Sequence, residues 1–138
     1  MIHMIKLAVG VRDVAHLTAI QAARGAANPP LRHQTRNAPK RADELTGGGS
    51  IYWVVGGVVL VRQLVRDVIA DTWDDGSKCC ALVLDPALVR VAARPVKAFQ
   101  GWRYLTPADA PPDLTKSAER GDAMPDEMRR ALASLALL

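Results

Sequence analysis

Two hairpin signals bracket one valine-rich run, and together they constrain this chain more than any other feature. Gly56-Gly57 suits a two-residue turn between antiparallel strands, and Asp74-Asp75-Gly76 is a second such signal further on. Ser50 to Val55, before the first turn, is β-branched and aromatic; Lys78 to Leu84, after the second, ends at Asp85-Pro86. The run between them, Val58 to Trp73, fits two periods. Leu60, Val61, Leu64, Val65, Val68 and Ile69 would form a helical stripe, with Arg62, Gln63, Arg66 and Asp67 opposite. Its valine content and flanking turns favour a long, bulged strand instead. Three consecutive antiparallel strands are therefore expected.

Around this centre, Met4 to Val9 reads as a short buried strand. A helix is expected from Asp13 to Arg24, capped by Asp13 and ended by Gly25. Asn28-Pro29-Pro30 breaks the chain, and Leu31 to Arg36 reads as extended. Pro39 suits the first turn of a short helix, Pro39 to Thr46, which Gly47-Gly48-Gly49 terminates. Val89 to Val91 and Phe99 to Leu105 read as further short strands around Pro95. Thr106 to Met124 shows no period and reads as an irregular loop. A last helix is expected over 125–137, with Met128, Leu132 and Leu135 at helical spacing. The class is α+β: a small, mostly antiparallel sheet, closed or half-closed as a barrel, flanked by two or three helices, in one domain spanning 1–138.

The 138 residues are 49% hydrophobic, enough for one core. Cys79 and Cys80 are adjacent, so an unstrained bridge between them is not expected; one reads as buried and the other as a partly exposed thiol. The longest apolar run, Ile51 to Val61, is too short to cross a bilayer, and the N-terminus lacks a signal-peptide pattern. A cytoplasmic location with no membrane partner is the expectation.

The formal net charge is only +4, but the charge is unevenly placed. Asn28 to Ala42 holds Arg32, Arg36, Lys40 and Arg41 with no acid; Pro86 to Ala108 holds Arg90, Arg94, Lys97 and Arg103, again with no acid. Such windows are either solvated loops or a footprint for phosphate groups. In the first, His33, Arg36, Lys40 and Arg41 surround the expected start of the Pro39 helix, where free N–H groups favour an anion. With Arg32 they are the candidate phosphate- or anion-binding residues.

Aromatic residues are scarce, yet Tyr52, Trp53, Phe99, Trp102 and Tyr104 make up five of the six. In a strand Trp102 and Tyr104 share a face and Arg103 points away. Core packing accounts for most of these rings, but a half-buried strand at 50–55 would turn Tyr52 or Trp53 outward. Rings beside basic residues can stack bases. Trp53, Arg62, Gln63, Trp102 and Arg103 are accordingly the candidates for a base or ligand pocket. No zinc-like spacing joins His3, His16, His33, Cys79 and Cys80, and no nucleophile motif appears. Asp43-Glu44 and Asp74-Asp75 read as solvated pairs. No metal, cofactor or catalytic residue is assigned.

The segments His33–Gln63, Leu82-Val83-Leu84-Asp85-Pro86 and Phe99–Leu105 with Pro107–Leu114 resemble an uncharacterised family of proteobacterial proteins of similar length, a domain of unknown function. That resemblance covers most of the chain and implies no activity. The order of a basic segment, a short helix and hairpin-rich strands is more loosely similar to the PUA/ASCH-like pseudobarrels, many of which bind RNA or modified bases.

The leading expectation is a non-catalytic RNA- or nucleotide-binding module. Two alternatives stand beside it. One is a small enzyme acting on a phosphorylated or acidic metabolite with His33 as acid–base, so catalysis stays open. The other is a protein-interaction domain using the acidic loop and C-terminal helix. Ligand identity, oligomeric state and biological process are not readable from the sequence.

Overall fold

The computed structural model describes residues 1–97, 99 and 101–114. The elements run β1 (His3–Leu7), α1 (Val14–Ala27), β2 (Arg32–Thr35), α2 (Ala42–Thr46), β3 (Ser50–Val55), β4 (Val58–Thr72), β5 (Lys78–Leu84), β6 (Val89–Pro95) and β7 (Trp102–Leu105). The helix expected over 125–137, and the part of the expected loop beyond Leu114, lie outside the described residues.

Val58–Thr72 is one strand, as the bracketing turns require. Gly56 and Gly57 both have positive φ, +60° and +82°, which a tight turn matching the strand twist needs. The first half of β4 pairs with β3 and with β6, which must therefore lie along opposite edges; its second half pairs with β5. The register shifts between Val65 and Asp67 and between Val59 and Val61. These bulges bend a fifteen-residue strand enough to serve three partners. The result is a curled, half-barrel sheet in the order β2-β5-β4-β3-β1-β7, with β6 on β4. All pairs are antiparallel except β1 with β3. The segment holding α1, β2 and α2 supplies the crossover that a parallel pair demands.

Asp13 caps α1, accepting a hydrogen bond from the His16 N–H at 2.8 Å. The helix does not stop at Gly25, however. It runs on to Ala27 and ends where Asn28 is forced out of helical geometry by the following Pro29. The second helix starts later than expected: Pro39 to Arg41 form a turn, and α2 spans only Ala42–Thr46. Gly49 follows α2 where the chain passes under the N-terminus. A Cβ there would overlap the carbonyl oxygens of Ile2 and Leu45, so only glycine lets the strands close.

The sheet is covered on both faces. Leu17 of α1 and Leu45 of α2 pack with Met4, Ile51, Trp53, Val61, Val65 and Leu82 on one side. On the other, Ile5, Tyr52, Val54, Val59 and Val91 pack under Val96, Phe99, Leu105 and Ala110. Consequently every residue of β3 is buried, and neither Tyr52 nor Trp53 turns outward. Cys79 and Cys80 are likewise both buried and free, in place of one buried and one partly exposed thiol. Among the described residues no helix is long and apolar enough to cross a membrane.

Candidate nucleic-acid interface

Strand alternation places Trp53, Lys6 and Trp102 in one cross-strand row. Lys6 of β1 is the register partner of Trp53 on β3 and of Trp102 on β7, so the three side chains share a face. Met4 and Tyr104 form the next row on that face, with Ile51. Trp102 and Tyr104 meet edge to face at 5.0 Å. Across the gap, β2 brings His33 edge-on to Trp53 at 5.4 Å.

Two adjoining hollows result. The first is an open cleft of about 620 Å³ lined by Lys6, His33, Arg36, Lys40, Trp73, Trp102 and Tyr104 together with small and polar residues of 34–39. The second is a smaller recess of about 230 Å³ beneath α1, walled by Lys6, Arg24, Arg32, His33 and Trp53. They share Lys6 and His33. Among the described residues no carboxylate lines either one, and His33 is the one His, Cys, Asp or Glu in their lining. All three tryptophans of the chain face one or the other.

The electrostatics follow from this placement. His33 is held down to about 4, first by burial and then by the positive charges of Lys6 and Arg24. It is therefore neutral at physiological pH, in a field set by cations. Arg32 is tied to Asp71 at 2.9 Å, and Gln34 donates to the same carboxylate at 3.1 Å. Lys6, Arg24, Arg36 and Lys40 have no acidic partner among the described residues.

Of the anion-binding residues expected from sequence, His33, Arg36 and Lys40 come together in the cleft, and Arg32 stands in the recess wall with its charge paired. Arg41 lies at the margin. Its guanidinium is held bidentately by Glu44 at 2.5 and 2.8 Å, and its backbone N–H donates to the Tyr104 hydroxyl at 3.0 Å. The helix start therefore does not gather these cations: it begins after Lys40, its N–H is used, and Glu44 occupies its arginine.

The expected base-pocket residues divide. Trp53 and Trp102 line the recess and the cleft. Gln63 is buried and saturated: its Oε1 accepts from Gln21 and from Trp53 Nε1, and its Nε2 donates to Gln21 and to the Asp85 carbonyl. Arg62 and Arg103 face the other side of the sheet. Arg62 opposes Tyr52 and is clamped by Asp113 at 2.6 and 2.7 Å; Arg103 opposes Ile5 and stacks on Phe99. The second basic window does not join the first at the cleft. Arg94, for instance, donates to the Asp109 carbonyl, away from these hollows.

Sequence reasoning missed Lys6, Arg24 and Trp73. Lys6 carried a usable signal, since it is the lone charge in the otherwise apolar Met4–Val9 run. Among the described residues no cluster of three His, Cys, Asp or Glu is placed to hold a metal.

A family model described as protein of unknown function (DUF1489) matches residues 4–138. The chain belongs to that family. No curated protein matches this DUF1489 member, and no solved structure does either.

Proposed function

We propose that this DUF1489 protein binds single-stranded RNA or a nucleotide in the cleft between β2, β7 and the β4–β5 hairpin, without chemically altering it. The observation that carries the reading is a lining that, among the described residues, holds no carboxylate and sets Lys6, Arg36 and Lys40 beside Trp73, Trp102 and Tyr104. Free cations attract phosphate, and flat rings accept bases of any sequence. Trp73 is 37% exposed at the hairpin end, a large ring left partly in water. Binding is favoured over catalysis because His33, neutral, has no carboxylate or second histidine beside it among the described residues to share acid–base work. A PUA-like kinship of the curled sheet would suit this reading and is not needed for it.

The test is binding of the purified protein to short mixed RNA and to nucleotides at low and moderate salt. Affinity should fall steeply with salt and should drop in Arg36→Ala with Lys40→Ala, with a shallower salt slope. Trp73→Ala should weaken binding by about 1–3 kcal/mol at every salt, as a lost stacking platform does. No binding at either salt would overturn the reading.

A further inference from the structure

The recess beneath α1 differs from the cleft in size, about 230 Å³ against about 620 Å³, and still gathers free positive charge. Lys6 and Arg24 meet no carboxylate there among the described residues, while the charge of Arg32 is held by Asp71. Two unpaired cations thus converge on one small hollow. A phosphodiester inside a strand carries one negative charge, whereas a terminal phosphate carries about 1.5–2 at neutral pH. The recess also ends blindly in part: buried Leu17, Gln21, Trp53 and Leu84 contribute its wall. Gln21 is 8% exposed and, among the described residues, spends only one of its two Nε2 protons, on Gln63, which leaves a buried N–H donor at this wall.

We propose that the recess receives a terminal phosphate: a phosphomonoester whose attached nucleoside lies in the adjoining cleft against Trp102. Lys6 and Arg24 match the dianion, and Gln21 and neutral His33 supply further polar contacts. This rests on the RNA- or nucleotide-binding reading and narrows it to ligands with a phosphorylated end. Two sources share that chemistry, a free nucleoside monophosphate and the phosphorylated end of an RNA strand.

The experiment compares RNA hexamers of one sequence bearing a 5′-phosphate, a 3′-phosphate or hydroxyl ends, alongside a nucleoside monophosphate and its nucleoside. A phosphorylated end should bind about tenfold more tightly than the hydroxyl-ended hexamer, the order expected for charge-assisted contacts. Arg24→Gln, on an exposed turn of α1, should bring the two affinities together; Lys6→Gln should do the same, with circular dichroism confirming its fold. If the monophosphate matches the phosphorylated hexamer, the ligand is the free nucleotide; if the hexamer binds more tightly, it is a strand end. Hexamers that bind equally with and without a terminal phosphate would overturn this inference and leave the cleft reading standing. Absence of binding by every probe would overturn both.

Discussion

Gln21 and Gln63 form a reciprocal amide pair between α1 and β4. Gln21 Nε2 donates to Gln63 Oε1 at 2.9 Å, and Gln63 Nε2 donates back to Gln21 Oε1 at 2.8 Å. The pair is buried, and it seats α1 on the sheet beside the recess. Trp53 Nε1 donates to the same Gln63 oxygen at 3.1 Å, which fixes the indole against which His33 packs.

Removal of Gln63 therefore costs more than removal of Gln21. Gln63→Leu orphans the Gln21 amide, the Trp53 N–H and the Asp85 carbonyl; at the low end of about 1–3 kcal/mol for each of these three buried groups, a loss of about 3 kcal/mol is expected. Gln21→Leu leaves Gln63 bonded to Trp53 and Asp85 and should cost about half as much. Urea denaturation of both variants and of the double variant measures this, and the double loss should fall short of the sum. Equal losses for the two single variants would remove the assigned asymmetry.

Stability should decline in acid because of His33. Its folded value of about 4 lies below the ordinary 6.5, so the unfolded chain takes up the proton first. Between those two values the unfolded state binds more protons, and stability falls as pH falls, by about 3 kcal/mol across the window. Below about pH 4 this contribution is fully lost and levels off. His3, also lowered by burial, acts in the same direction, so the test compares wild type with His33→Gln. The variant should show the shallower decline between pH 6.5 and 4, and a proton titration by NMR should place His33 well below the usual histidine range. A His33 that titrates normally would remove both the burial and the cation field assigned to it.

Arg62 and Asp113 fasten the segment after β7 across the second face of the sheet. The bidentate pair is joined there by the Val91–Asp113 bridge and by Leu114 N–H donating to the Arg90 carbonyl at 3.0 Å. Asp113 is nearly half exposed, so Asp113→Asn should cost no more than about 1 kcal/mol. Arg62→Gln should leave RNA or nucleotide affinity unchanged, because the guanidinium lies on the far side of the sheet from the cleft. A clear loss of affinity in Arg62→Gln, with the fold retained, would move the binding surface to the other face.

Much of the architecture was legible locally. Gly56-Gly57 and Asp74-Asp75-Gly76 specify turns through the conformations those residues accept, and turns of that kind force neighbouring runs to pair antiparallel. Asp13 as a cap follows from the same short-range chemistry. The cleft was legible in part: the acid-free window contributes His33, Arg36 and Lys40 to its lining, and period 2 placed Trp102 and Tyr104 on one face with Arg103 on the other.

The tertiary structure decided which of the two faces of each strand carries what. Alternation says that Tyr52 and Trp53 point oppositely; only the arrival of α1 on one side and of Phe99 and Leu105 on the other buries both. Lys6 lines the two hollows because β1 lies between β3 and β7, a pairing set by no local turn. Arg62 and Arg32 lose their free charge to Asp113 and Asp71, which are distant in the chain. Local conformational preference acts over a few residues, whereas burial and charge pairing depend on what long-range folding brings within a few ångströms. Short-range chemistry therefore set the turns, the strands and the cation-rich segment, and long-range pairing set which cations remain free.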